Sequence, residues 1–184
     1  RALHLPEADI DSAILSAAGV GPFDLMVDVG VGQGRMIQLF AERVRRAEGF
    51  DTSRQMLAIA RASLDDLKAK AAVRFGDAYA PPIDAGAADL VTIHQVLHFL
   101  SDPARAIAEA VRLLKSRGKL LIVDFAPHTL EFLREEHAHR RLGFSDGEIA
   151  EWCEAAGLSR PVVTALAPQK ADALTVKIWA GVKA

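Results

Sequence analysis

Leu25-Met26-Val27-Asp28-Val29-Gly30-Val31-Gly32-Gln33-Gly34-Arg35-Met36-Ile37-Gln38-Leu39-Phe40 is the stretch that decides the fold of this 184-residue chain. It opens as an apolar, strand-like run from Leu25 to Val29 and breaks at Gly30, Gly32 and Gly34. It then resumes at helical spacing, with Met36, Leu39, Phe40 and Val44 falling on successive turns. Strand, glycine turn and helix together present bare backbone N–H groups and a helix N-terminus to a ligand. Glycine suits such a turn because the backbone adopts positive φ and no Cβ blocks a close approach.

Spacing separates the ligand classes that use this geometry. A dinucleotide-binding turn reads G-x-G-x-x-G, its third glycine letting the helix pack on the strand. Counted from Gly30 and Gly32, that glycine would be residue 35, which is Arg35. The run is instead Asp-x-Gly-x-Gly-x-Gly, formed by Asp28, Gly30, Gly32 and Gly34.

Composition bounds the answer from outside. Hydrophobic residues make up 51% and charged residues 25%, as in a globular domain with a real core. A net charge of −2 leaves no electrostatic footprint for nucleic acid, and no apolar run is long enough to span a bilayer. One cysteine, Cys153, excludes an internal disulfide framework and a multi-cysteine metal site. Glu7, Asp9 and Asp11 interrupt the first apolar stretch, so no signal peptide is read, and the expected location is cytoplasmic.

Along the chain, residues 6–18 read as an amphipathic helix, with residues 1–22 as helix and linker. The helix after the glycine turn is expected to run to about Arg46, followed by a short strand over 47–50. Thr52 or Ser53 caps a helix reaching Leu67, with Met56, Leu57, Ala60 and Leu64 inward. Strands follow at 71–75, 88–93 and 119–125. A helix begins at Asp102-Pro103 with Ile107, Val111 and Leu114 on one side. Helices are expected over 130–142 and 146–156, then an antiparallel pair at 162–166 and 173–181. Alternating strands and helices specify a Rossmann-like three-layer αβα sandwich around a seven-stranded, mostly parallel sheet with an antiparallel last strand. Its ligand belongs beyond the carboxyl ends of the strands. One rim therefore collects the glycine turn, Asp51, Gly76-Asp77-Ala78 and His94-Gln95.

The run from Asp28 to Gly34 resembles motif I of the class I S-adenosylmethionine (SAM) methyltransferases. Gly49-Phe50-Asp51-Thr52-Ser53-Arg54-Gln55-Met56-Leu57 resembles the segment that follows it in that family. Gly76-Asp77-Ala78, His94-Gln95-Val96-Leu97-His98 and Leu120-Leu121-Ile122-Val123-Asp124 resemble the later motifs, with Arg117 where a glycine is usual. The type is that of quinone-biosynthesis methyltransferases. A narrower likeness runs through 1–7, 94–98, 124–128 and 137–144, which resemble the methyltransferase domain fused behind an arsenical-repressor-type winged helix. That likeness, in a chain beginning at Arg1, implies a DNA-binding domain upstream.

Under this resemblance SAM is the expected cofactor. The expected cofactor-binding residues are Asp28, Gly30, Gly32, Gly34, Asp51, Thr52, Met56, Gly76, Asp77, Ala78, His94 and Gln95. Asp28 holds the turn or the ammonium, Asp51 accepts from the ribose hydroxyls, and Asp77 accepts from the adenine amine beside the Ala78 N–H. A histidine base near neutral pH suits oxygen or carbon methylation, which makes His94, His98 and His128 the catalytic candidates; the plainer reading of each is a hydrogen-bonded structural histidine. His137 and His139 are placed in a helix on different faces, and His98, His128 and His137 are the set with a chance to converge. No metal is expected.

The DNA-amine motif is absent after the fourth strand, and Cys153, the one cysteine that cytosine methylation could use as nucleophile, lies far along the chain in a helix. A small-molecule acceptor remains, beneath a lid formed by 125–144. A second copy of the chain and the fused DNA-binding domain are further possible partners; membrane and direct nucleic-acid binding are not expected. The alternative is a SAM- or small-molecule-sensing module of a winged-helix regulator.

Overall fold

The computed structural model describes residues 5–168, 170 and 173–184. Arg1 to His4 of the regulator-like segment, and Gln169, Ala171 and Asp172 near the chain end, lie outside them. Helix α1 spans Glu7–Ala18 and leads into strand β1, Phe23–Val29. After the glycine turn come α2, Arg35–Phe40, and β2, Val44–Asp51. Helix α3, Arg54–Ser63, and β3, Ala71–Phe75, complete the first half. The second half is β4, Ala88–His94; α4, Pro103–Leu113; β5, Leu114–Phe125; α5, Phe132–His137; and α6, Asp146–Ala155. It ends in β6, Val162–Leu166, and β7, Val176–Val182.

The seven strands form one sheet in the order β3-β2-β1-β4-β5-β7-β6. Strands β3 through β5 run parallel to their neighbours, and β7 is antiparallel to both β5 and β6. The strands' two-residue period sorts their side chains between two cores. Met26, Leu121, Val123 and Ile178 pack with α1, α2 and α3 on one face. Val27, Val29, Ile93, Ile122 and Trp179 pack with α4 and α6 on the other. This gives the three-layer Rossmann-like sandwich. The sheet's order reverses between β1 and β4, so a crevice opens where the connections from their carboxyl ends diverge.

Local chemistry sets the element ends. Ser53 caps α3, its hydroxyl accepting from the Met56 N–H at 3.2 Å. Asp102 caps α4 by accepting from the Arg105 N–H, with Pro103 in the first turn. Ser145 and Glu148 form a reciprocal capping box on α6. Asp146 then receives Lys177 Nζ at 2.8 Å and the Trp179 indole N–H at 3.0 Å, binding α6 to β7.

Several boundaries correct the sequence expectation. Helix α2 stops at Phe40, not near Arg46. A 3-10 turn over Ala41–Arg43 follows, and Val44 already pairs with Phe23 in the sheet. Arg43 is drawn away to the end of α1, donating to the Leu15 and Gly19 carbonyls at 3.0 and 2.9 Å. Sheet pairing and this cap prevail over helical spacing. Leu114 leaves α4 and starts β5, pairing with Ala88 before a register shift, so β5 begins ahead of Lys119. β7 begins at Val176, three positions later than expected.

The largest correction falls on 130–142. Only Phe132–His137 is helical, because Ala138 takes a left-handed conformation at φ 57°. The His98 carbonyl then captures the N–H groups of Arg140 and Arg141 at 2.7 and 3.1 Å. His137 is therefore the last helical residue and His139 lies beyond the helix.

Candidate active site

At the switch point lies a cleft of about 540 Å³, within the usual range for small-ligand sites. Ten of the predicted cofactor positions line it: Asp28, Gly30, Gly32, Asp51, Thr52, Gly76, Asp77, Ala78, His94 and Gln95. Gly34 and Met56 do not. Gly34 is the left-handed N-cap of α2, packed so that a Cβ would meet Leu64 at about 3 Å. Met56 is half-buried and its N–H is spent on Ser53. Sequence reasoning missed Val96, Phe99 and Leu100, because an irregular turn after β4 carries no periodic signal.

Two glycines explain the turn. A Cβ on Gly30 would lie 2.5 Å from Val96 Cγ2, so this glycine lets the β4 turn close against β1. Gly32, at φ +53°, has no atom other than those of its own residue and its two chain neighbours within 4 Å of where a Cβ would stand. The space beside its backbone is the cleft.

Three carboxylates reach that space from three neighbouring strands. Asp28, in β1, is 2% exposed and accepts from the Thr92 hydroxyl at 2.6 Å. Burial outweighs that hydrogen bond, and with the charge of Asp51 it pushes the Asp28 carboxyl up to about 8. Asp51 ends β2; its Oδ2 accepts from the Gly32 N–H at 3.0 Å and its Oδ1 from the Ser53 N–H at 2.9 Å. One side chain thus ties the glycine turn to the cap of α3. Asp77, just past β3, accepts from the Tyr79 N–H at 2.8 Å, and the Tyr79 hydroxyl accepts from the Asp102 N–H at 2.9 Å. The Asp77 loop is thereby pinned to the start of α4.

Arg35, the cation among the described lining residues, is committed elsewhere. It pairs with Asp11 and lies 3.8 Å from Glu7, holding α1 against α2. The cleft is therefore acidic. It suits a ligand carrying positive charge and hydroxyl or amine donors, whereas a pyrophosphate would meet carboxylates with no free cation opposite. The donor set fits SAM, whose sulfonium and ammonium are cationic and whose ribose and adenine donate.

The histidines divide. His94, the last residue of β4, lines the cleft as expected. His98 does not point into it. It is 2% exposed, with Nδ1 2.8 Å from Asp124 Oδ1, and lies behind Phe99, whose ring centroid is 4.1 Å away. His128 is half-buried, and its Nδ1 accepts from the Leu130 N–H at 3.2 Å. The residue that joins this cluster is His139, not His137: its ring stacks on His98 at 4.0 Å. Nothing in the sequence separates His139 from His137, because the left-handed Ala138 decides which of them turns inward. Among the described residues no group of three or more metal-ligating side chains has metal-binding geometry. Cys153 is buried and its thiol is pushed up to about 12, which leaves it inert as a nucleophile.

Fold and cleft together define an α/β protein with an acidic ligand crevice at its switch point. The chain belongs to the methyltransferase-domain family, whose model matches residues 27–122, just over half of it. It is 32% identical over 105 residues to the uncharacterised methyltransferase YcgJ of Bacillus subtilis, covering 55% of this chain and 41% of that protein. Over 116 residues it is 30% identical to the demethylmenaquinone methyltransferase of Renibacterium salmoninarum, covering 63% of this chain and 47% of the relative. The chain spans between a third and a half of the length of the curated relatives it matches.

Among solved structures, YcgJ superposes with a TM-score of 0.78 at 17% identity, covering 96% of this chain and 98% of that one. Phosphoethanolamine N-methyltransferase 2 of Haemonchus contortus, in complex with SAM, gives 0.81 at 19%, covering 95% of this chain and 52% of that one. At these identities the likeness establishes the fold. No helix of the described residues is long and apolar enough to cross a membrane.

Proposed function

We propose that this domain, read as a single unit over 1–184, transfers a methyl group from SAM to a small-molecule acceptor in the cytoplasm. The observation that carries the reading is the trio Asp28, Asp51 and Asp77, at the ends of neighbouring strands, lining one cleft beside the uncovered Cα of Gly32. Bound there, SAM supplies a methyl group activated by the sulfonium. Asp28 takes the ammonium of its amino-acid end, Asp51 the ribose hydroxyls, and Asp77 with the Ala78 N–H the adenine. His94 and Gln95, at the end of β4, would line the acceptor side of the cleft, with His98 and His128 as the further histidine candidates. Most of the acceleration comes from holding donor and acceptor in line, with a histidine taking a proton where the acceptor has one to lose. A relative whose name gives it a demethylated quinone as substrate supports a small cyclic acceptor. The regulator alternative rests on the resemblance of the N-terminal and histidine segments alone.

Calorimetry with SAM, S-adenosylhomocysteine and NADH tests the reading. SAM and its demethylated product are expected to bind and NADH is not. Tighter binding of NADH would overturn it.

A further inference from the structure

Behind Phe99 lies a buried polar cluster that the cofactor cleft does not use. Asp124, near the end of β5, is fully buried. Its Oδ1 accepts from the Phe125 N–H at 2.9 Å and is hydrogen-bonded with His98 Nδ1 at 2.8 Å. Its Oδ2 finds no partner. His139 Nδ1 and His128 Nε2 are likewise buried and unpartnered, and among the described residues these three side-chain atoms are the ones in that condition. They belong together: the charge of Asp124 acts on both imidazoles. Phe125 packs beside both rings, 6.2 Å from His128 and 6.3 Å from His139.

Orphaned buried polar atoms are rare, and three in one cluster call for an occupant. Its chemistry follows from the atoms. Asp124 Oδ2 only accepts, so the occupant must donate. His128 Nδ1 already accepts from Leu130, so in the neutral ring Nε2 holds the proton and the occupant must also accept. Burial lowers both His128 and His139, His139 to about 4, so both rings are neutral near pH 7. An ammonium group cannot accept, and a carboxylate or phosphate cannot donate to Asp124 and is repelled by it. A hydroxyl does both. Phe99, Phe125, His98 and His139 pack ring against ring beside these atoms.

We propose that Asp124, His128 and His139 form the acceptor subsite, and that it takes the hydroxyl of a small aromatic alcohol of the phenol class. The assignment rests on the methyltransferase reading and names the substrate class of that same site. Phe99, which lines the cofactor cleft and is 43% exposed, also packs against the rings of His98 and His139, so it borders both the cleft and the subsite. The strap over the subsite is held to His98 by the Arg140 and Arg141 N–H groups and at His128 by the Leu142 carbonyl, and its displacement admits the ring.

Phenol, anisole and benzylammonium serve as probes, each titrated by NMR with and without saturating S-adenosylhomocysteine. The wild-type protein is expected to bind phenol about tenfold or more tighter than anisole, the loss of one well-placed hydrogen bond to an ionised group, and benzylammonium no better than anisole. Asp124→Asn keeps the shape and an acceptor for His98 but turns the free oxygen into a donor, so the preference for phenol should collapse. His128→Phe, which removes the N–H and keeps a ring, should lower phenol binding while leaving anisole unchanged, and stands in should Asp124→Asn not fold. Equal binding of phenol and anisole overturns the proposal, as does a preference that survives both substitutions; an ordered water alone then fills the cluster. Binding of S-adenosylhomocysteine separates the two levels. If it binds and phenol is not preferred, the subsite assignment falls alone; if it does not bind, the methyltransferase reading falls first.

Discussion

Asp28 is the residue at which stability and ligand binding oppose each other. Its carboxyl is raised to about 8 from 3.8, chiefly by burial, so the folded chain holds a proton that the unfolded chain has released across that interval. Folding is therefore favoured at the low-pH end, and the ligand-free protein should lose stability as pH rises from about 4 to about 8. Denaturant midpoints measured across this range check the slope, which Asp28→Asn should flatten. Binding runs the other way, because an ammonium group prefers the carboxylate. SAM affinity should rise with pH by up to roughly tenfold per unit below about 8, with one proton released, and calorimetry in buffers of different ionisation enthalpy counts that proton. A proton count of zero would mean that Asp28 meets no cation. Asp77 makes a simpler case: Asp77→Ala should cost on the order of 1.5–3 kcal/mol of SAM affinity in a folded protein. Unchanged affinity would place the side chain outside the site.

Among the elements, those that follow from local chemistry were legible and those set by distant partners were not. The strand at 71–75, the caps at Ser53 and Asp102 and the strand at 162–166 stand where spacing and capping residues put them. The cleft was legible for the same reason, since the ends of β1 to β4 carry their carboxylates and glycines in the local sequence. The end of α2 was hidden because Arg43 answers to the carbonyls of α1, 24 and 28 positions away. The 130–142 segment was hidden because the His98 carbonyl unwinds it, and with that the role of His139 was invisible. Arg117 is a readable exception. The resemblance puts a glycine there, and the exposed arginine adopts φ 66° at the irregular stretch of β5 between its Leu114 and Lys119 pairings, where its N–H donates to the Lys183 carbonyl at 2.8 Å. Arg117→Gly should relieve that strain and stabilise the fold by about 0.5–1 kcal/mol, read from the urea midpoint at unchanged slope. Destabilisation would show that the arginine side chain makes a contact worth more than the strain.

For the molecule as a whole, the cleft is a seam between two halves, so its ligand should act as a clamp. S-adenosylhomocysteine at a hundred times its dissociation constant should add about 2.7 kcal/mol, raising the melting temperature by roughly 5–10 °C for a chain of this size. A thermal scan with and without ligand measures it, and no shift at saturation would mean that the ligand binds the unfolded chain as well. The seam has a second consequence, for the order in which the structure comes into being. β1 finds β2 close by in sequence, but its other edge waits for β4, Met26 pairing with Leu90 across the whole intervening unit. During synthesis β1 to β3 can assemble while that edge is still open, and only the arrival of β4 covers it. Loop closure over such a span is slow compared with local pairing. The crevice that holds the ligand is therefore among the last features to appear, and a nascent chain carries a bare hydrophobic strand edge until it does.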